Sequence, residues 1–159
     1  AAWLISLGVQ PHLIYRELYE KSSLARIRLH GRVLSRVSLE FGGLMGMTYV
    51  LQKDFEETGA HPSDTEDLVN TCLTIDGTRC AIILVEQKSG QVKVSFRSRM
   101  GLDVAKVAEQ FGGGGHKLAS GAMVPGPVSN AQTVIMQAME KAIREQLPPT
   151  GENSPPAVS

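Results

Sequence analysis

The stretch FGGGGHKLASGA, residues 111–122, places four consecutive glycines between an aromatic ring and a histidine. One glycine after a helix serves as a left-handed cap. Four exceed that need, and each costs up to ~1 kcal/mol relative to alanine when ordered in regular structure. A loose surface loop is the plain reading; the chemical one is a bare backbone whose N–H groups approach a phosphate or ribose closely. The run matches neither the dinucleotide fingerprint nor the phosphate loop of nucleotidases, because those glycines open a helix and these follow one. His116 comes next, with Lys117 behind it. An imidazole beside bare backbone can donate to a phosphate oxygen or stack on a base. His12, His30 and His61 have no such setting and are expected at the surface. No second histidine or carboxylate lies within ligand spacing of His116, so no metal site is expected within this chain.

The segment QVKVSFRSR, residues 91–99, alternates strictly. Val92, Val94, Phe96 and Ser98 point one way, and Lys93, Ser95, Arg97 and Arg99 point the other. Arg97 and Arg99 therefore project from one side, about 6.5–7 Å apart along the strand. Arginine suits a phosphodiester because its planar fork makes bidentate, charge-assisted hydrogen bonds. A basic strand face is also ordinary solvated surface; the glycine-histidine loop one helix later is what turns it into one wall of an anion pocket. A catalytic apparatus is missing: there is no aspartate-rich cluster and no nucleophile with an evident base.

The elements that would position these residues are legible in outline. Residues 1–40 read as helices: Ala2, Leu4, Ile5 and Leu7 lead to Gly8 as a cap, Pro11 opens a second helix to about Glu20, and Ser22 or Ser23 caps a third. In the third, Leu24, Ile27, Val33, Leu34 and Val37 lie near one face, while Arg26, Arg32 and Arg36 are expected to be solvated. LMGMTYV (44–50) reads as a strand and KDFEETGA (53–60) as a short helix closed by Gly59. HPSDTEDLVNTCLTI (61–75) reads as a helix capped by Ser63 or Asp64, with Glu66 or Asp67 in its first turn. TRCAIILVEQ (78–87) reads as a central strand buried on both faces. DVAKVAEQF (103–111) is a helix capped by Asp103, with Val104, Val107, Ala108 and Phe111 inward. LASGAMV (118–124) is a further strand, and SNAQTVIMQAMEKAIREQL (129–147) a long amphipathic helix capped by Ser129 or Asn130. The tail PPTGENSPPAVS, 148–159, is expected to be disordered.

The composition sets limits. At 159 residues, 42% hydrophobic and 20% charged, the chain can bury one core. Sixteen basic and sixteen acidic residues give zero net charge, so an anion site must be local. Cys72 and Cys80 are too few for a disulfide framework, and a reduced cytoplasmic protein is expected. No apolar run approaches the ~20 residues that span a bilayer. The opening AAWLISLGV lacks methionine and has mid-helix character, so the chain is expected to be a piece of a longer protein.

FGGGGHKLASGA resembles the Gly-Gly-Gly-His signature of the DHH-associated C-terminal domain of the DHH phosphoesterase superfamily. QVKVSFRSR, LDVAKVAEQFGGGGH and DTEDLVN are similar to segments of its nano-RNase and phosphoadenosine-phosphate phosphatase branch, also described as exopolyphosphatase-related. The resemblance implies an α/β domain with a mixed β-sheet and flanking helices over residues 42–147. Residues 1–41 would be a helical linker from a missing N-terminal DHH catalytic lobe. That lobe would bind two divalent ions, typically manganese, and activate a water. By motif, Gly113, Gly114, Gly115 and His116 would contact the substrate's phosphate or nucleoside. Arg97, Ser98 and Arg99 would hold a phosphate or base beside them, and Glu66 and Asn70 would line the same cleft. The implied substrates are short oligoribonucleotides, linear dinucleotides or 3′-phosphoadenosine 5′-phosphate, and this chain alone is expected to be inactive. Expected partners are the nucleotide or short RNA and the missing lobe; a homodimer stays open and no membrane is implied. Two other readings remain: a stand-alone nucleotide-binding or regulatory module, and, less favoured, a RecJ-like single-strand DNA exonuclease. Alanyl-tRNA synthetases carry a related signature, but the linker helices favour the phosphoesterase branch.

Overall fold

A computed structural model describes residues 8, 10–99 and 101–147, without the side chains of Leu18 and Tyr19. The helix expected on Ala2, Leu4, Ile5 and Leu7 and the tail 148–159 lie outside the described residues.

Six strands form one mixed sheet: β1 (Ser38–Glu40), β2 (Met45–Val50), β3 (Cys80–Glu86), β4 (Gln91–Ser98), β5 (Gly114–His116) and β6 (Ala119–Pro125), in the order β1-β2-β3-β4-β6-β5. β2 and β3 run parallel, and every other neighbouring pair is antiparallel. A parallel pair needs a long crossover. Here it carries α3 (Gln52–Thr58), a 3-10 turn (Pro62–Thr65) and α4 (Leu68–Leu73). The remaining described helices are α1 (Pro11–Tyr19), α2 (Leu24–Leu34), α5 (Ala105–Glu109) and α6 (Val128–Gln146). The expected class, an α/β fold with a mixed sheet and flanking helices, is the one observed.

Alternation along the strands builds two cores. On one face Met45, Met47, Ile82, Leu84, Val92, Val94, Phe96, Ala122 and Val124 pack beneath α5 and α6, against Val104, Val107, Ile135 and Met139. On the other, Val50, Ala81, Ile83 and Val85 pack beneath α2 and α4, against Leu29, Val33, Leu68, Val69 and Cys72. β3 faces both clusters, which explains its unbroken apolar run. Full burial of a side chain such as Phe96 or Ile135 contributes roughly 1.5–3 kcal/mol. Gly46 lets α4 lie close to β2, since a Cβ there would come within 3.2 Å of the Cys72 carbonyl oxygen.

Several expectations need correction. The third helix ends at Leu34, and Ser38–Glu40 is an edge strand paired with β2, because ladder hydrogen bonds outweigh the helical periodicity of the segment. Ser23 does cap α2, accepting from Arg26 N–H at 3.0 Å, but the buried stripe is Leu29 and Val33, while Leu24 and Ile27 are exposed. Arg26, Arg32 and Arg36 are not merely solvated. Arg26 reaches Asp67 at 2.6 Å, Arg32 pairs with Glu57, and Arg36 grips Asp54 through two hydrogen bonds of 2.5 and 2.7 Å. His30 is half-buried and donates from Nε2 to the Asp64 carbonyl at 2.7 Å.

Caps also shift. Pro62 at the first turn makes a 3-10 segment with His61 at its N-cap, where Asp64 Oδ2 accepts from His61 N–H at 2.8 Å; α4 starts only after Asp67. Neither Ser63 nor Asp64 caps a long helix. α6 begins at Val128 after Pro127, so Ser129 and Asn130 lie inside its first turn. Asp103 works one position early: Val104 is the N-cap of α5, and Asp103 Oδ1 accepts from Ala105 N–H at 3.1 Å. Gly59 closes α3 with φ +70°, as expected.

Candidate nucleotide-binding face

The strand register places the basic residues. Arg97 pairs with Ala81 on β3 and with Ala119 on β6, and Ala119 pairs with His116 on β5. Paired residues share a face, so Arg97 and His116 project from the same side of the sheet, two strand spacings or roughly 10 Å apart. Ser95 pairs with Gly121, Gly121 with Gly114, and Lys93 with Met123. One face of β4, β6 and β5 therefore carries Lys93, Ser95, Arg97, His116 and Met123 above a floor of Ala119, Gly121 and Gly114.

This is the face that α2 and α4 cover over β2 and β3. Their cover stops short of the other three strands: Lys93, Met123 and His116 are exposed, and Ser95, Arg97, Ala119, Gly121 and Gly114 are half-buried. Among the described residues, this face of the sheet is clothed on one half and bare on the other. Where the cover ends, a cavity of about 270 Å³ is lined by Thr65, Glu66, Val69, Ile83, Val85, Lys93, Ser95 and Arg97. A second, of about 300 Å³, lies between Lys93, Gly121, Met123 and the Phe111–Gly113 segment. Larger hollows, of about 690 and 600 Å³, lie away from this face around Gln52 and Glu86 and around Lys106 and Lys117.

The four glycines divide by physical role. Gly112 ends α5 with φ +70°, and Gly113 N–H donates to the Ala108 carbonyl at 2.9 Å. A Cβ on Gly113 would run into the Gly121 carbonyl oxygen. On Gly115, where φ is +142°, it would sit 2.6 Å from the Ala119 carbonyl oxygen. These two are glycine because β5 lies tight against β6. Gly114 is different: its φ is ordinary and a Cβ there would meet nothing within 4 Å. Its bareness answers no demand of the fold. The run is also not the loop expected from sequence, since Gly114–His116 forms an edge strand joined to β6 by the two-residue turn Lys117-Leu118.

The other expected residues separate. Glu66 lines the cavity beside Arg97, whereas Asn70, one turn on, is exposed and outside the cavity lining. Ser98 faces the opposite, buried side, where its hydroxyl donates to the Leu102 carbonyl at 2.7 Å, with the Lys117 carbonyl 3.3 Å away. Arg99 lies past the strand end, and its Nη2 donates to the Leu73 carbonyl at 2.8 Å, satisfying the C-terminus of α4. Arg97 Nη1 donates to its neighbour's carbonyl, Phe96 O, at 2.9 Å, which anchors the guanidinium at the cavity rim. Lys93 and Ser95 belong to the face although sequence reasoning gave them no role; the alternation that placed Arg97 already placed them.

No thiol nucleophile serves the site. Burial raises the Cys72 thiol and pushes Cys80 up to about 12, so both stay protonated. Among the described residues no three His, Cys, Asp or Glu side chains cluster as metal ligands. No described helix is long and apolar enough to cross a membrane.

Residues 45–145 match the family model described as the DHHA1 domain. The chain is 35% identical over 125 residues to the bifunctional oligoribonuclease and PAP phosphatase NrnA of Thermus thermophilus, covering 78% of this chain and 36% of that protein. It is 33% identical over 124 residues to the Bacillus subtilis protein of the same name, covering 78% and 38%. An exopolyphosphatase-related protein from Bacteroides fragilis superposes with a TM-score of 0.81 at 31% identity, over 87% of this chain and 41% of that one. The chain thus spans little more than a third of the length of the curated relatives it matches.

Proposed function

The chain belongs to the DHHA1 domain family, and on that premise we propose that it is the substrate-holding lobe of a phosphoesterase acting in the cytoplasm on short oligoribonucleotides, linear dinucleotides or 3′-phosphoadenosine 5′-phosphate. One observation carries this reading. The described residues leave half of a sheet face bare, and it presents Arg97, Lys93 and His116 over a floor of glycine and alanine.

Arg97 and Lys93 supply charge for a phosphodiester, and Gly114 offers backbone that a ligand can approach without meeting a side chain. His116, exposed at the sheet edge, donates to a phosphate oxygen or stacks on a base. The relatives named as oligoribonuclease and PAP phosphatase support a hydrolase as the whole protein. Attack on the ester belongs to a DHH lobe bearing two divalent ions, for which manganese is the proposed metal. In this reading the chain's own part is to bind and orient the substrate and to exclude water.

The test is titration of the chain with a mononucleotide, a dinucleotide and a five-mer RNA. Arg97→Ala and His116→Ala should each weaken binding by about tenfold or more, the scale of a lost charge-assisted hydrogen bond. Unchanged affinity in both would sink the assignment. In a manganese-dependent phosphodiesterase assay the chain alone should show no turnover; turnover at the whole enzyme's rate would overturn its role as a binding lobe.

A further inference from the structure

The strand that carries His116 has little stiffness of its own. β5 is three residues long, pairs with β6 alone among the described strands, and starts with two glycines. The Lys117-Leu118 turn that ends it is instead fixed at both of its carbonyls. Ser98 N–H donates to the Leu118 carbonyl at 3.0 Å, and Val104 N–H donates to the Lys117 carbonyl at 2.9 Å. The second bond depends on where the 102–104 segment sits, and two side chains set that. Ser98 Oγ donates to the Leu102 carbonyl at 2.7 Å, with the Lys117 carbonyl oxygen 3.3 Å from the same hydroxyl. Ser120 Oγ donates to the Val104 carbonyl at 2.8 Å. Ser120 pairs with Phe96 on β4 and so shares the buried face with Ser98, and each serine is 6% exposed. A hydroxyl this deep is costly unless it is bonded. Both of these are bonded, and their bonds converge on the segment that grips the turn.

Resting on the reading of His116 as a substrate contact, we propose that Ser98 and Ser120 are positioning residues for that contact. Neither hydroxyl reaches the bare face. They hold the 102–104 segment, whose Val104 N–H holds Lys117, the residue after His116. The imidazole is thereby kept on the bare side, two strands from Arg97, where one phosphate-bearing ligand can span both. Without either hydroxyl a carbonyl of the segment loses its partner, the grip on Lys117 loosens, and His116 moves with the glycines before it. Arg97 acts on the substrate directly, and Ser98, its neighbour on β4, acts through His116 from the opposite face of the sheet.

The test is a double-mutant cycle on the full chain, titrated with a 5′-phosphorylated diadenosine dinucleotide. Ser98→Ala should weaken binding roughly fivefold, less than outright loss of the imidazole. In the His116→Ala background the same change should alter affinity by less than about twofold, because the contact it positions is gone. In the Arg97→Ala background it should keep its full effect. Ser120→Ala should follow the same pattern. A merely structural role would weaken binding alike in both backgrounds, and that result would overturn the proposal while leaving the bare face as the binding site. In the ligand-free chain the His116 ring-proton NMR signals should shift or broaden in both serine variants, while those of His12 and His61, on other elements, stay in place. Unmoved His116 signals, or loss of folding in both variants, would also overturn the positioning role. A His116→Ala chain that binds as the parent does would remove the contact itself, and with it both the positioning role and the place of His116 in the site.

Discussion

At the residue scale the glycine run is several solutions, not one. Gly113 and Gly115 are dictated by β6, and Gly112 by the end of α5. Gly115→Ala sets a Cβ against the Ala119 carbonyl oxygen at a φ that L-residues rarely adopt. It should cost about 2–3 kcal/mol in urea denaturation. Gly114→Ala meets open space, so it should leave stability within about 0.5 kcal/mol. It should nonetheless weaken nucleotide binding, because the methyl group stands where the ligand's backbone would lie. If Gly114→Ala binds as the parent does, bare backbone at that position has no part in recognition. The sequence marks the run as unusual and His116 as its end, and in the structure His116 is the exposed last residue of β5. It did not separate the four positions, because which glycine touches β6 depends on a strand pairing that local sequence does not encode. Ser98 shows the same limit. Strict alternation put it on the buried face, yet motif likeness grouped it with Arg97 and Arg99.

At the element scale, the helices around residues 24–58 are held by charge as well as by packing. Asp54, at the start of α3, is 2% exposed and accepts from both Arg36 nitrogens and from Leu51 N–H at 2.8 Å. Burial pushes its carboxyl up, but the Arg36 hydrogen bonds, the Leu51 N–H and the charges of Arg36 and Arg32 together hold it below its ordinary value. The Arg36 guanidinium also lies 5.1 Å from the centre of the Tyr49 ring, tying it to β2. A depressed carboxylate stabilises the fold fully above the ordinary carboxylate value. That contribution is lost as pH falls through the lower, folded value. Stability should therefore decline as pH drops below about 4, and Asp54→Asn should flatten this part of the profile. At pH 7 the same variant should cost about 2 kcal/mol, measured by urea denaturation. These arginines read as solvated surface because helical periodicity shows where a side chain points and not which carboxylate a crossover brings to it. The strands fared better, since β3 and β4 carry their burial in their own patterns.

At the scale of the whole molecule, zero net charge and a basic half-sheet are compatible because the balance is spatial. The carboxylates of Glu57 and Asp67 are spent on Arg32 and Arg26 of α2, and that of Asp54 on Arg36 just past its end, on the clothed side. Among the described residues, Lys93 and Arg97 join no ion pair on the bare side. Binding of a short single-stranded RNA should then follow local charge and not the net value. Two phosphate contacts give a slope of about −1.4 in log affinity against log salt, so affinity should fall roughly sevenfold between 50 and 200 mM. A slope near zero would show that these cations do not meet the backbone.

The short strand β5 has a second consequence. The sheet ends in three-residue strands on both sides, Ser38–Glu40 and Gly114–His116. Past the reach of β5, the outer strand β6 runs out to Pro125, which has no N–H to offer. A long, flat edge invites another chain to add a strand, and short edges with glycine and proline withhold that template. The same bare backbone that is proposed to admit a nucleotide thus gives the molecule little to aggregate through, even though half of its sheet is uncovered.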